Sequence, residues 1–576
     1  MIRNIKKYTK SPLIAILSIM LPLGGVGGLT SCSDLLDTKS DMIEFAEDNK
    51  LNSAQDTLSS MLGVIRGIQT IAERTIILGD VRSDQLTPTE YASTAIQQLA
   101  SFQVDAENPY NKVSDYYAII NSCNYFIENA DLNLVRLGKN VFEKEFAAVK
   151  AYRAWTYLQL VKNYGEVPLI TRPLLTEADA NNEMNKSYTD INGICNYFID
   201  DIKPYVDTQL PQSLGSIYYI PVRVLLGELC LWAGRYQESA QYLHEFLTMK
   251  NKPVTTGKKG KSVSGLELYD NGQRMRASFS ADFGSAILNS SEILNVVYME
   301  SSDYYGIKNN LSTVYESVVA NNYYAEVVPS KALKQLSYDQ DYVYLLEVSQ
   351  TEKDTVYLTK EWNTELHNGD LRLYGTYSYR KENVDANSPL SSDRSTVLKL
   401  QTSAIPMYRV QQVYLMYAEA LNRLGCPEAA LCVLKYGLRN QNIERYVSEK
   451  EREKAGELLN FDDEIFTKDN TQGVHARGCG DVDCDNNYCV PQPKESLASY
   501  EDTVQYQIPF VEQMIVDEYG LEFVYEGKRF YDLMRVALRR NDPAYLADAI
   551  AKRSGKLDDG LRSRLMDKKN WYLPLK

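Results

Sequence analysis

The chain has 576 residues, 44% hydrophobic and 24% charged, an ordinary globular balance that excludes a mainly disordered chain and a multi-span membrane protein. Its 62 Lys and Arg against 76 Asp and Glu leave a net charge of −14, which argues against nucleic acid because phosphate binding needs a cationic surface. Tyrosine outnumbers phenylalanine 43 to 14, and a ring bearing a hydroxyl suits a wet boundary, so many aromatic rings are predicted at partly exposed positions.

Residues 1–31 read as a signal peptide. Arg3, Lys6, Lys7 and Lys10 form a basic start, followed by a largely apolar run from Pro12 to Leu23 that is too short to span a bilayer. Gly24, Gly25, Gly27 and Gly28 then break any helix ahead of Leu29-Thr30-Ser31-Cys32. That ending resembles the bacterial lipobox, in which the cysteine is acylated and becomes the new N-terminus; Cys32 is the lipidation candidate. Cleavage strips four positive charges and takes the balance to −18. Residues 32–50 are polar and read as a lipidated tether, leaving 51–576 as a single domain.

Helical patterning dominates from about 51 to 250, returns at 409–440 and closes the chain from 511 to about 553. Irregular excursions are predicted at about 251–408 and 455–508. An internal repeat is the most informative signal. Val222, Leu225, Leu226, Leu229, Cys230 and Ala233 mark one helical face, and Val413, Met416, Tyr417, Ala420, Leu421 and Leu424 repeat that spacing 191 residues later. Glu228 recurs as Glu419, and each helix meets a glycine, Gly234 or Gly425, before a second apolar helix. This is the pattern of an αα-hairpin. Tyr157, Leu160, Val161 and Tyr164 ahead of Gly165 form a partial third copy, with Ile191, Ile194, Cys195, Phe198 and Ile202 as its partner helix. Val113, Tyr116, Tyr117, Ile120 and Ile127 suggest a fourth. Such units bury their apolar faces only by stacking, so the distant copies are predicted to form one scaffold with the irregular segments as excursions.

Several segments resemble one family, the SusD/RagB nutrient-uptake lipoproteins of Bacteroidetes-type outer membranes. Lys150-Ala-Tyr-Arg153-Ala-Trp155-Thr-Tyr157-Leu-Gln-Leu160 with Asn163-Tyr-Gly165-Glu-Val-Pro168-Leu is similar to one of its signatures. Arg409 to Gly425 (RVQQVYLMYAEALNRLG) and Glu522 to Arg535 (EFVYEGKRFYDLMR) are similar to two others, and the terminal Trp571-Tyr-Leu573-Pro574-Leu575 to a fourth. Val328-Pro329-Ser330 departs from the family pattern, because the following Asp341-Tyr-Val carries no arginine. In the third signature, Glu526 with Arg529 and Asp532 with Arg535 read as i, i+3 ion pairs that orient helices rather than as catalytic groups.

The resemblance implies a mainly α fold: a tetratricopeptide-like scaffold of helical hairpins with a large, irregular, loop-rich portion and few short strands. It also implies a non-catalytic, surface-exposed, lipid-anchored protein of the outer membrane. Such a protein captures a glycan, or a peptide in some branches, and passes it to a SusC-like TonB-dependent transporter. The alternatives are a tetratricopeptide-type adaptor for proteins and a secreted glycoside hydrolase, which needs only two carboxylates. Sugars are held by rings stacked on their C–H faces and by polar partners for their hydroxyls, and such rings must sit on loops to be reached. The excursion from Gly79 to Tyr110 offers Arg82, Asp84 and Tyr91; the second offers Tyr304, Tyr305, Tyr323 and Tyr324; Trp362 is a further candidate.

Cys479, Cys484 and Cys489, near His475, can be read as a local disulfide, as free thiols or as a zinc site; the spacing is loose for zinc. Asp481, Asp483 and Asp485 mimic a calcium loop but lack its glycine and its final glutamate. The three histidines, His244, His367 and His475, fall in no hydrolase or metalloprotease frame, and no glycine loop suits a phosphate. No cofactor and no metal are expected.

Overall fold

A computed structural model describes residues 54–212, 214–248, 292–299, 307–315, 318–319, 322–349, 352–358, 369–380, 394–397, 399, 404–461, 466 and 472–575. The frame consists of helices α1 (Ala54–Val81), α2 (Thr94–Ser101), α3 (Val113–Asn129), α4 (Glu143–Tyr164), α5 (Ile191–Ile202), α6 (Val222–Trp232) and α7 (Tyr236–Thr248). It continues with α8 (Val410–Arg423), α9 (Pro427–Leu434), α10 (Tyr500–Glu522) and α11 (Arg529–Arg540). Neighbours follow chain order across the long sequence gap: α3 packs on α1, α4 on α3, α5 on α4, α6 on α5, α7 on α6, α8 on α7 and α9 on α8. Helix α10 covers α8 and α9, and α11 returns against α1. The predicted single scaffold of helical hairpins is therefore present, mainly α and with only short strands. Among the described residues every sheet is a two-stranded ladder, with an isolated parallel bridge between Val343 and Gly480, and none of their helices is long and apolar enough to cross a membrane.

The repeat is visible at atomic detail. The six-position stripes on α6 and α8 are buried except at their last residues, Ala233 and Leu424, which are half-buried. Both helices then turn through a left-handed glycine, Gly234 at φ 73° and Gly425 at φ 80°, which a side chain would strain. In each the next residue closes the turn onto the carbonyl five back: Arg235 N donates to Cys230 O at 2.8 Å, and Cys426 N to Leu421 O at 3.0 Å. The repeated glutamates serve as anchor points inside the stack. Glu228 accepts from the Tyr408 hydroxyl, and Glu419 is held in a fork by Arg535 at 2.9 and 2.7 Å.

Two boundaries differ from the reading of the sequence. Helix α10 begins at Tyr500 rather than 511, because Ser499 caps it by accepting from Asp502 N, and Pro509 is carried inside the helix rather than stopping it. Helix α1 runs through Gly79 to Val81, and α2 interrupts the excursion that was expected to be loop from Gly79 to Tyr110.

The Glu522–Arg535 segment also differs in one pair. Asp532 and Arg535 are joined at 3.0 Å as the spacing predicts, but Glu526 and Arg529 are not partners. Glu526 lies before the helix in the turn that joins α10 to α11, with Tyr525 at φ 63° and Gly527 at φ 70°. That turn aims Glu526 at Arg409 (2.8 Å) and Lys399 (2.6 Å), while Arg529 forks onto Asp84 with two bonds of 2.8 Å. Gly527 has no room for a Cβ, which would stand 2.5 Å from the Thr75 carbonyl of α1.

Around Glu522 the chain buries an ionic network that ties the excursions to α10. Arg409 binds Glu522 at 2.8 Å, Arg372 binds Asp370, Glu518 and Glu522 at 2.6, 2.8 and 3.2 Å, and Arg477 binds Glu292 and faces Glu522 at 3.6 Å. Lys399 adds a bond to the Glu522 carbonyl at 3.0 Å. Burial pushes the Glu522 carboxyl up, but Arg477, Arg409, Arg372 and Lys399 outweigh it and hold the group at about 2, below its ordinary 4.5. A carboxylate with a depressed pKa stabilises the fold above its ordinary value and loses that contribution as pH falls through the depressed one. Glu522→Gln is expected to lower stability by about 3–5 kcal/mol in urea melts at pH 7, because it leaves buried cations uncompensated. The wild-type protein should lose more stability than the variant between pH 4.5 and 2.

Candidate functional site

The two excursions meet in a short antiparallel ladder. Strand β1 (Leu86–Pro88) pairs with β2 (Val327–Pro329), with Leu86 opposite Pro329, Thr87 opposite Val328 and Pro88 opposite Val327. Beyond the strands the contact continues: Thr89 N donates to Glu326 O at 2.9 Å and Thr89 Oγ1 to Ala325 O at 2.6 Å. Ser93, the cap of α2, donates from its N and Oγ to Glu326 Oε2 at 2.7 and 2.5 Å. Ala92 and Ala325 are buried and anchor the chain on either side, and each lies beside an exposed tyrosine. The Tyr91 and Tyr324 rings, 37% and 38% exposed, stand edge to face with centroids 5.3 Å apart and planes at 84°. Half-buried Tyr110 is held nearby; burial, with the Glu326 and Glu73 carboxylates, pushes its hydroxyl up to about 12. Partial burial and the neighbouring Glu90 carboxylate raise the Tyr91 hydroxyl above its ordinary value, and Glu73 on α1 accepts from the Asn310 backbone N.

Arg82 and Asp84 do not face this surface. Both are buried, and both serve as its footing, which corrects the expectation that they meet a ligand. Arg82 donates to Leu78 O at 2.8 Å, Trp571 O at 3.1 Å and the Tyr531 hydroxyl at 3.0 Å, and lies 4.3 Å from the Phe530 ring centroid. Asp84 is held by Arg529, and its carbonyl accepts from Ser330 Oγ at 2.5 Å. Gln85 Nε2 reaches Gly520 O at 2.5 Å. A polar run in an expected loop predicts solvated, ligand-facing groups; in the fold those polar groups satisfy one another because α1, α10, α11 and β2 converge there.

Of the other aromatic candidates, Tyr304, Tyr305 and Trp362 lie outside the described residues. The backbone of Tyr323 pairs opposite Val318 in a two-residue ladder just ahead of Tyr324. Glu326 is the site residue that the sequence does not single out; its one signal is its place two residues after Tyr324. Another exposed ring pair, Tyr506 and Phe510 (centroids 5.1 Å apart), sits one turn apart on α10.

Among the described residues, two cavities of the helical core are too small for a saccharide. Of about 30 and 20 Å³, they share Lys162, Glu228 and Lys528 in their walls and hold a water or two at most. A groove of about 450 Å³ runs between Phe102–Asp105 and Lys569–Pro574. It is large enough for a sugar, but its half-buried ring, Tyr572, packs on Gly165.

The cysteine cluster is not a disulfide: every described cysteine is a free thiol. Cys479 is buried and its Sγ lies 3.3 Å from Asp370 Oδ2; Cys484 Sγ lies 2.9 Å from Asp481 O; Cys489 is exposed. The segment folds so that the first thiol enters the ionic core while the last stays at the surface. His475 is turned away from the thiols, its Nδ1 at 2.6 Å from Glu518 and its ring stacked on Tyr488. Among the described residues no group of three His, Cys, Asp or Glu could hold a metal ion. Burial raises the thiols of Cys123, Cys230 and Cys432 to about 12. Alkylation of the native protein is therefore expected to label Cys489 first and Cys484 slowly, with the six buried cysteines reacting only on unfolding; mass spectrometry of the labelled peptides reads this directly.

No protein-family model matches the chain, and no curated protein matches it in sequence. Solved structures do. A SusD superfamily protein from Bacteroides vulgatus is 13% identical, with a TM-score of 0.55 over 89% of this chain and 92% of its own. One from Bacteroides thetaiotaomicron is 15% identical, with a TM-score of 0.53 over 84% and 89%. A SusD-like carbohydrate binding protein from Bacteroides vulgatus is 14% identical, with a TM-score of 0.50 over 84% of each chain. The helical frame that carries the Tyr91–Tyr324 pair thus has the SusD-like fold.

Proposed function

We propose that this protein is a surface-exposed lipoprotein of the outer membrane that captures a glycan and delivers it to a SusC-like TonB-dependent transporter, without a catalytic step. The observation that carries the reading is the exposed Tyr91–Tyr324 pair, built where two excursions meet and braced from beneath by Arg82, Asp84 and Gln85. Two partly exposed rings set at a right angle offer an aromatic surface on which a sugar can stack a C–H face, while Thr89, Glu90 and Tyr110 offer polar partners. Glu326 is committed to capping α2 through Ser93, which favours binding over acid–base chemistry at this point. A similar fold in a protein described as carbohydrate binding supports the same direction. The lipobox ending at Cys32 supports anchoring from one end of the chain.

Two measurements test the proposal. Stacked aromatic contacts contribute about 0.5–1.5 kcal/mol each, so Tyr91→Ala or Tyr324→Ala should weaken glycan binding about 2- to 12-fold in affinity gels or calorimetry. The double variant should abolish it while the melting curve stays close to wild type. An unchanged affinity in the double variant would refute the site. Cys32→Ser expressed in a lipoprotein-competent host should move the protein from the membrane fraction to the soluble one; retention in the membrane would refute the anchor.

A further inference from the structure

Between α3 and α4 the chain folds into a short hairpin, residues 131–140. Val135 pairs opposite Asn140 and Arg136 opposite Lys139, around the two-residue turn Leu137-Gly138. The root is fixed to the frame: Val141 N donates to Leu134 O at 2.9 Å and Asn133 N to Asp131 Oδ1 at 2.9 Å. Leu134 and Val141 pack on the core there, and Phe142 is buried. The tip is built differently. Both turn residues are left-handed, Leu137 at φ 51° and Gly138 at φ 72°, a geometry that selects Asn-Gly or Asp-Gly in two-residue hairpins. Leucine is strained at the first of these positions, and packing does not compensate it, because Leu137 is fully exposed. Val135 and Leu132 are exposed on the same hairpin, as is Arg136. An apolar residue kept at a strained, solvated tip serves something outside this fold.

The place of the hairpin in the frame indicates what it meets. Helices α1 and α3 run antiparallel: Arg74 bonds Asp115 at 2.5 Å and the Lys112 carbonyl at 3.1 Å, while further back along α1 a Cβ on Gly67 would stand 2.8 Å from Ile119. From that level Ala54 lies 13 residues back along α1 and Asn129 lies 10 residues on along α3, about 20 and 15 Å of helix. The hairpin therefore leaves the frame at the end where the chain from Cys32 enters it, 22 residues after that cysteine. A lipid on Cys32 tethers the frame by this end, and one acyl attachment is strengthened by a second contact with the same bilayer. Leucine and valine suit the headgroup boundary, and an arginine beside them reaches its phosphates. We propose that the 131–140 hairpin is a second membrane contact, seating Leu137 and Val135 in the surface of a lipid bilayer. The proposal rests on the lipid-anchor reading and adds the part of the frame that meets the membrane.

The test uses the full-length lipidated protein in phosphatidylcholine vesicles, with and without brominated acyl chains. The fluorescence added by Leu137→Trp is read as the difference from wild type. Its emission is expected to shift to the blue and to fall about twofold with the brominated lipid, because a side chain seated about 5–10 Å deep lies close to the bromines. Leu557→Trp is the control: Leu557 is exposed and follows Arg553, which donates to the Val81 carbonyl at the far end of α1, so its emission should stay unquenched. Leu137→Asn, which suits the left-handed turn, should leave the melting temperature of the Cys32→Ser chain unchanged or raise it. A lower melting temperature would mean that the leucine serves the fold, and would overturn the inference. So would equal quenching of Leu557→Trp, or a blue shift of Leu137→Trp without quenching, which would place the tip against a second copy of the chain. An unshifted, unquenched Leu137→Trp in protein that still floats with the vesicles would overturn the second contact and leave the anchor standing. Wild-type protein that does not float with the vesicles would overturn the anchor, and the inference with it.

Discussion

The buried carboxylate of Glu522 is the point on which the two halves of this molecule depend. It sits at the end of α10, within the helical frame, and is approached by guanidinium groups from three places along the chain: Arg372 and Arg477 from the two irregular excursions and Arg409 from the residue that opens α8. A helical stack can bury apolar stripes with no help from its loops, since neighbouring hairpins supply each other's partners. Loops have no such stripe. Here they are attached by charge, and the desolvation of each ion is repaid only because every one meets an opposite charge in the same interior. Such a joint is specific in a way that an apolar contact is not, because a shifted loop would leave a bare charge behind.

The same logic is repeated, at smaller scale, under the tyrosine platform. Asp84 and Arg529 fix the chain where it leaves α1. Arg82 reaches Trp571 in the C-terminal segment, and Leu573 N bonds to Asn163 O at 2.8 Å to hold that segment against α4. Above this footing the ladder of β1 with β2 sets the register, and register decides which side chains point outward. Rigid support from beneath is what lets two rings remain exposed and ready for a ligand without paying to be ordered on binding.

Much of the frame was legible in the sequence. The stripes on α6 and α8, the glycine turns at Gly234 and Gly425 and the repeated Glu228 and Glu419 all appear where the periodicity places them, as does the Asp532–Arg535 pair. The misreadings share a cause. Arg82 and Asp84 read as ligand-binding groups because a polar residue in a loop is normally solvated, yet both are buried. Glu526 was paired with Arg529 since three residues apart on a helix means contact, yet a left-handed turn at Tyr525 and Gly527 puts Glu526 outside the helix. Helix α10 starts eleven residues ahead of the expected 511, because Ser499 caps it upstream and Pro509 is carried inside it. Cys479 looked like a disulfide partner by spacing alone.

By itself the sequence determined the helical units, their turns and their repeat, because hydrophobic period and left-handed glycine act within one or two turns of chain. It also determined the net acidity of the whole chain, which is a matter of composition. Only the tertiary structure decided which polar residues turn inward, which acid meets which base, and that Tyr91 and Tyr324 stand together. The reason is distance along the chain: Arg409 finds Glu522 across 113 residues, and Tyr91 meets Tyr324 only because β1 pairs with β2. No local rule of spacing encodes such pairings, since they exist only once separate segments share one interior.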